Sequence, residues 1–160
     1  MSEAPGGRAW IAAERALLAL WTGGLWAVGF LTAPTLFALL DDRWQAGRVA
    51  GHLFGLMGWV ALGAGVLVLA GAARRRGGRP WRWRTAAVAL MLGLAAAGQF
   101  GIAPRMAALQ PSLAGLAADH PQRRAFRRWH GLSSALFLTQ SLLGLVLVAG
   151  GGPAETARRR

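Results

Sequence analysis

Four runs without a single charged side chain constrain this chain more than any other feature: Ala16–Leu40, Leu53–Ala73, Thr85–Ala103 and Gly131–Gly150. A helix of roughly 20 apolar residues crosses the ~30 Å hydrocarbon core of a bilayer, and each run is about that long. A water-soluble four-helix bundle would keep a polar outer face on every helix; here polar content within the runs is limited to Thr, Ser and Gln. Composition agrees, with 54% hydrophobic and 15% charged residues against roughly 25% charged in soluble domains. The expected fold is all-α, an integral membrane four-helix bundle. The first run is longer than a signal-peptide core and a second run follows directly, which predicts a retained span. With no cysteine, disulfides, thiol catalysis and thiolate-held metals are excluded.

The net charge of +12 would suggest nucleic acid in a soluble protein, but basic flanks also orient membrane helices and meet anionic headgroups. No nucleic-acid partner is expected. Every basic residue is arginine, and Ala and Gly abound, as a GC-rich bacterial genome would produce. Four spans put the N-terminal segment (1–15), the central loop and the basic tail (151–160) on one side of the membrane domain (16–150). That side carries Arg8, Arg15, Arg74, Arg75, Arg76, Arg79, Arg82, Arg84, Arg158, Arg159 and Arg160. The other carries Arg43, Arg48, Arg105, Arg123, Arg124, Arg127 and Arg128. The larger set marks the cytoplasmic face, which predicts a bacterial inner-membrane protein with both ends in the cytoplasm. Trp81 and Trp83 on one side, and Trp44 and Trp129 on the other, suit interfacial belts.

The chain also reads as two parallel-repeated helical hairpins. Phe30-Leu31-Thr32-Ala33-Pro34 matches Phe100-Gly101-Ile102-Ala103-Pro104 at an offset of 70, and His52-Leu53-Phe54 precedes His130-Gly131-Leu132 by 78. Two-span units repeat in the same direction, about an axis along the membrane normal. Pro34 and Pro104 are expected to kink the first and third helices at matching depths. Small and polar residues at helical spacing (Gly24, Gly51, Gly55, Gly58, Gly93, Gln140 and Gly144) are expected to face neighbouring helices, because close packing and interhelical hydrogen bonds hold spans together in lipid.

Candidate chemistry gathers at the outer ends of the spans. There His52 and His130 open the second and fourth runs, Asp41 and Asp42 follow the first, and Arg105 and Met106 follow Pro104. Three readings stand. On the first, His52 and His130 ligate haem b or a copper ion, with Met106 as a soft third ligand. On the second, Asp41, Asp42, Arg105, Ser133 and the histidines form an outward-facing polar site for transport or proton movement. On the third, which asks least of the residues, they are interfacial anchors, with Arg–Asp pairs tying the outer loops. No cofactor follows from the spacing alone. Arg123, Arg124, Arg127 and Arg128 predict a basic surface helix that meets anionic lipid headgroups or an acidic partner. The few acidic residues, the absence of a nucleophile elbow and glycine pairs without a following Lys-Ser/Thr leave no enzymatic expectation.

Trp21-Thr22-Gly23-Gly24, Ala33-Pro34-Thr35-Leu36-Phe37, Ala46-Gly47-Arg48 with Leu53-Phe54, Ala103-Pro104-Arg105-Met106 and His130-Gly131-Leu132-Ser133-Ser134 resemble, in order and spacing, the transmembrane protein 205-like family. Bacterial members of that family are small four-helix membrane proteins known mainly as a domain of unknown function. The resemblance implies four spans and no agreed activity. It places His130 and Ser133 on the family's His-x-x-Ser pattern, whereas His52 departs from it. A looser likeness to the copper-resistance membrane protein D group leads to the copper reading. The functional expectation is a non-enzymatic accessory or structural subunit of a larger membrane complex, with small-solute or ion transport as the alternative.

Overall fold

The computed structural model describes residues 5–74, 79–113, 115–117 and 119–150. Arg75, Arg76, Arg158, Arg159 and Arg160, which weigh in the orientation argument, lie outside the described residues. Four helices are long and apolar enough to cross a membrane: span 1 (Ala9–Leu39), span 2 (Arg43–Ala73), span 3 (Arg82–Leu109) and span 4 (Pro121–Ala149). All four begin before their charge-free segments, span 3 also runs past the end of its own, and together they take in Glu14, Arg43, Arg48, Arg105 and the arginines before His130. Backbone hydrogen bonding does not stop at the first charge, and arginine lays its apolar stem along the helix while its head reaches water.

Spans 1 and 3 are not uniform α-helices. Each contains one π-helical turn, Ala27–Thr32 and Ala97–Ile102, and resumes as α-helix over Ala33–Leu39 and Ala103–Leu109. The two interruptions are 70 residues apart throughout (27 to 97, 39 to 109). The cause is the proline. Inside an α-helix its ring meets the carbonyl four residues back and removes a donor; a wider turn makes room for the ring, and Ala33 and Ala103 bond five residues back, to Val28 and Gly98. The residue after each proline bonds back to the carbonyl four residues earlier: Thr35 Oγ1 donates to Leu31 O (2.7 Å) and Arg105 Nη1 to Gly101 O (2.7 Å). The helices therefore continue through Pro34 and Pro104.

Spans 1 and 3 each pack against spans 2 and 4, so 1 and 3 are diagonal to each other, as are 2 and 4. The core on the bundle axis comes from matched positions: Leu18 with Val88, Trp21 with Met91, and Leu25 with Ala95, all buried. Spans 2 and 4 match at an offset of 79, where Ala61/Gln140, Gly65/Gly144 and Val68/Leu147 are buried in both. The offset of 78 read from the histidines would set buried Ala61 against exposed Thr139. Contacts between spans obey the corrected register. Gly65 lies under Leu92 and Gly144 under Thr22; Gly58 lies under Gln99 and Gly29 under Phe137. In the last pair of contacts the bulky and small partners have changed places.

The glycine expectations divide. Gly24 receives Met57, Gly58 receives Gln99 and Gly144 receives Thr22. At Gly51, Gly55 and Gly93 a side chain would point into open space. The reason is rotational. Residues 58, 61, 65, 68 and 72 make the inward row of span 2, whereas 51, 55, 59 and 63, at spacing four, make an outward one.

Candidate functional site

At the far end of the bundle, the singled-out polar residues mostly serve the helices that carry them. Asp42 is the N-cap of span 2, its Oδ1 accepting from Trp44 N at 2.8 Å; Asp41 beside it is exposed. Replacing Asp42 with alanine should destabilise the protein by about 1 kcal/mol, read as a lower thermal midpoint in detergent. Arg105 lies over the Trp129 ring, with its guanidinium carbon 5.0 Å from the centroid, and so ties the end of span 3 to the start of span 4. Met106 and Ser133 are half-buried. Arg123 donates from Nη2 to Leu113 O at 3.1 Å, whereas Arg124, Arg127 and Arg128 are exposed.

His52 and His130 are exposed and stand on the diagonal spans 2 and 4; His130 stacks on Phe126 of its own helix, with planes 6° apart. At the structural offset of 79, His52 corresponds to Gly131 and His130 to Gly51, one residue and so about 100° of helix rotation from the pairing read in the sequence. Among the described residues no group of three or more His, Cys, Asp or Glu is placed to hold a metal ion. The third histidine, His120, caps span 4, with Nδ1 accepting from Gln122 N at 3.3 Å.

The opposite end holds a site that the sequence reading passed over. Glu14 is 9% exposed and lines a narrow cleft with Arg84 and Thr85 over an apolar floor of Leu18, Val88 and Leu147. The space admits about one water molecule. Arg84 has a buried Nη1 without a hydrogen-bond partner, and its guanidinium carbon lies 5.9 Å from the Trp83 ring centroid. Glu14 and Arg84 are 70 residues apart, so matched positions of the two hairpins present opposite charges to one cleft. In a low-dielectric setting such charges attract over distances at which water would screen them, and ionisable groups within spans are functional candidates. Glu14 escaped notice because it sits just before the first charge-free run, and Arg84 was counted only as an orienting charge. The repeat offset, applied to charges, is the signal that finds both.

The profile of a family described as a domain of unknown function, DUF4149, matches residues 16–115. The chain belongs to the DUF4149 family. The match takes in most of span 1, all of spans 2 and 3 and the π-turns of spans 1 and 3, and ends before span 4. Neither the curated proteins nor the solved structures contain a match. Family membership brings no activity, so the functional argument rests on the geometry of this chain.

Proposed function

We propose that this small membrane protein is a non-enzymatic accessory subunit that binds another membrane protein through the outer face of span 2. The observation behind this reading is the row Gly51, Gly55, Trp59 and Gly63: the three glycines face open space, and Trp59 is 58% exposed. In lipid, small residues at spacing four let two helix backbones approach closely, and this row has no use inside the bundle. It is not a by-product of the repeat either, since span 4 carries His130, Ser134, Leu138 and Leu142 at the matching positions. Trp59 meets the exposed Phe100 edge-on, centroids 5.7 Å apart, which extends the face onto span 3.

Solute or ion transport, the alternative, would draw on the Glu14–Arg84 cleft. The closed layer of Leu18, Val88 and Leu147 beneath it, followed by Trp21 and Met91, speaks against passage along the axis. The matched π-turns and packing contacts support an internal duplication. The eleven arginines of the N-terminal, central and C-terminal segments, against seven elsewhere, support a bacterial inner-membrane location with both ends cytoplasmic. Exposed Arg124 and Arg128 suit anionic headgroups at the other face. The four-span layout keeps the likeness to the transmembrane protein 205-like family open.

Affinity purification from native membranes tests the reading. Gly55→Leu should strip associated membrane proteins from the tagged chain while leaving its thermal midpoint unchanged, because the added side chain points into open space. Undiminished co-purification with Gly55→Leu, or a chain that purifies alone to begin with, would remove the proposal.

A further inference from the structure

Buried polar atoms are shared unequally between the two halves of the bundle. Trp21 Nε1, Thr22 Oγ1, Gln140 Oε1 and Ser141 Oγ are buried and have no hydrogen-bond partner, in residues that are 0–7% exposed. They occupy facing turns of spans 1 and 4, whose register is set by Thr22 against Gly144 and by Trp26 Nε1 donating to Ser141 O at 3.4 Å. A buried polar group left unsatisfied destabilises the fold, and lipid supplies no relief.

The duplicated architecture supplies its own control. At offsets of 70 and 79 the matching positions are Met91, Leu92, Ala61 and Leu62, all apolar. The seam between spans 2 and 3 thus reproduces the packing, with Leu92 on Gly65 in place of Thr22 on Gly144, without any of the polar atoms. Bundle assembly does not require them. Nor do the two hydroxyls follow the usual habit of hydroxyls in helices, which bond a carbonyl of the preceding turn. Thr35, Ser134 and Thr139 do so here, each to the residue four back, whereas the hydroxyls of Thr22 and Ser141 bond no carbonyl, and that of Thr22 lies against Gly144 across the seam.

We infer that the seam between spans 1 and 4 is a hydration site within the membrane, holding water on Trp21, Thr22, Gln140 and Ser141. The indole N–H donates, the amide oxygen accepts, and each hydroxyl does either, which matches the two to four polar partners a buried water takes. The four groups carry no charge, so the set suits a neutral guest and not an ion. Thr22 packs against Gly144, so the seam is narrow and a small guest suits it best. The site is independent of the partner-binding face on span 2.

Solid-state NMR on the protein reconstituted in lipid tests this by magnetisation transfer from water. Strong transfer is expected to the Trp21 indole N–H and to Thr22 and Ser141, with little to Met91 and Leu92. In Thr22→Leu/Ser141→Leu, which copies the apolar seam, transfer to the Trp21 indole should fall roughly tenfold with loss of the water's partners. A dry Trp21 in the unsubstituted protein, or transfer unchanged in the double variant, overturns the inference. If the double variant does not fold, the measurement on the unsubstituted protein decides alone.

Discussion

Trp21→Ala should destabilise the bundle by about 3–5 kcal/mol, the range for removing a large aromatic side chain from a packed core. Trp21 is fully buried on the bundle axis, matched by the equally buried Met91, and its ring lies against the backbone of Gly65 on span 2. No neighbour can move in to fill the space, because span 2 already approaches as closely as a glycine allows. The loss is read by equilibrium unfolding in mixed detergent, followed by far-UV circular dichroism so that the missing indole does not disturb the signal. Trp59→Ala is the internal control: that side chain is 58% exposed and its removal should change stability little. A Trp21→Ala protein within about 1 kcal/mol of the parent would mean that the core is not packed around this ring.

Gly29→Leu should be the next most damaging single change, at about 1–3 kcal/mol for forced overpacking. Gly29 lies within the π-turn of span 1, and the Phe137 ring occupies the position its Cβ would take. Phe137 is held there by Phe30 and Phe54, with ring centroids at 5.4 and 5.6 Å, so it cannot swing aside without disturbing three spans. Phe137→Ala removes the obstacle and should restore part of the loss, giving a coupling of about 1 kcal/mol or more in a double-mutant cycle. Strict additivity would show that the two residues do not meet. At the matching contact, Gly58→Leu meets only the flexible Gln99 and should be milder.

How much could be read from the chain depended on whether a feature is set by composition or by rotation. The four spans and their order were legible, because the hydrophobic requirement of a bilayer is a property of whole segments. The matching prolines, Pro34 and Pro104, were legible, since proline is recognised one residue at a time. The π-turns were not: a proline can kink, end or widen a helix, and the packing of the turn before it decides which. The candidate site at the outer ends was assembled from residue type, and the structure distributed its members. Asp42 went to a helix cap, Arg105 to the face of Trp129, and His52 and His130 to exposed positions on diagonal spans.

The sequence by itself determined that this is an all-helical membrane protein with four apolar spans and with matching prolines 70 residues apart. Only the tertiary structure decided which face of each span is inside. One residue of register rotates a helix by about 100°, and that rotation separates an offset of 78 from one of 79. It turns Gly51 and Gly55 outward and Gly58 and Gly65 inward, and it removes the apparent kinship of the two histidines. It also places Glu14 beside Arg84 and gathers Trp21, Thr22, Gln140 and Ser141 along one seam. Apolar content is indifferent to such a rotation, whereas side-chain contacts between helices are not.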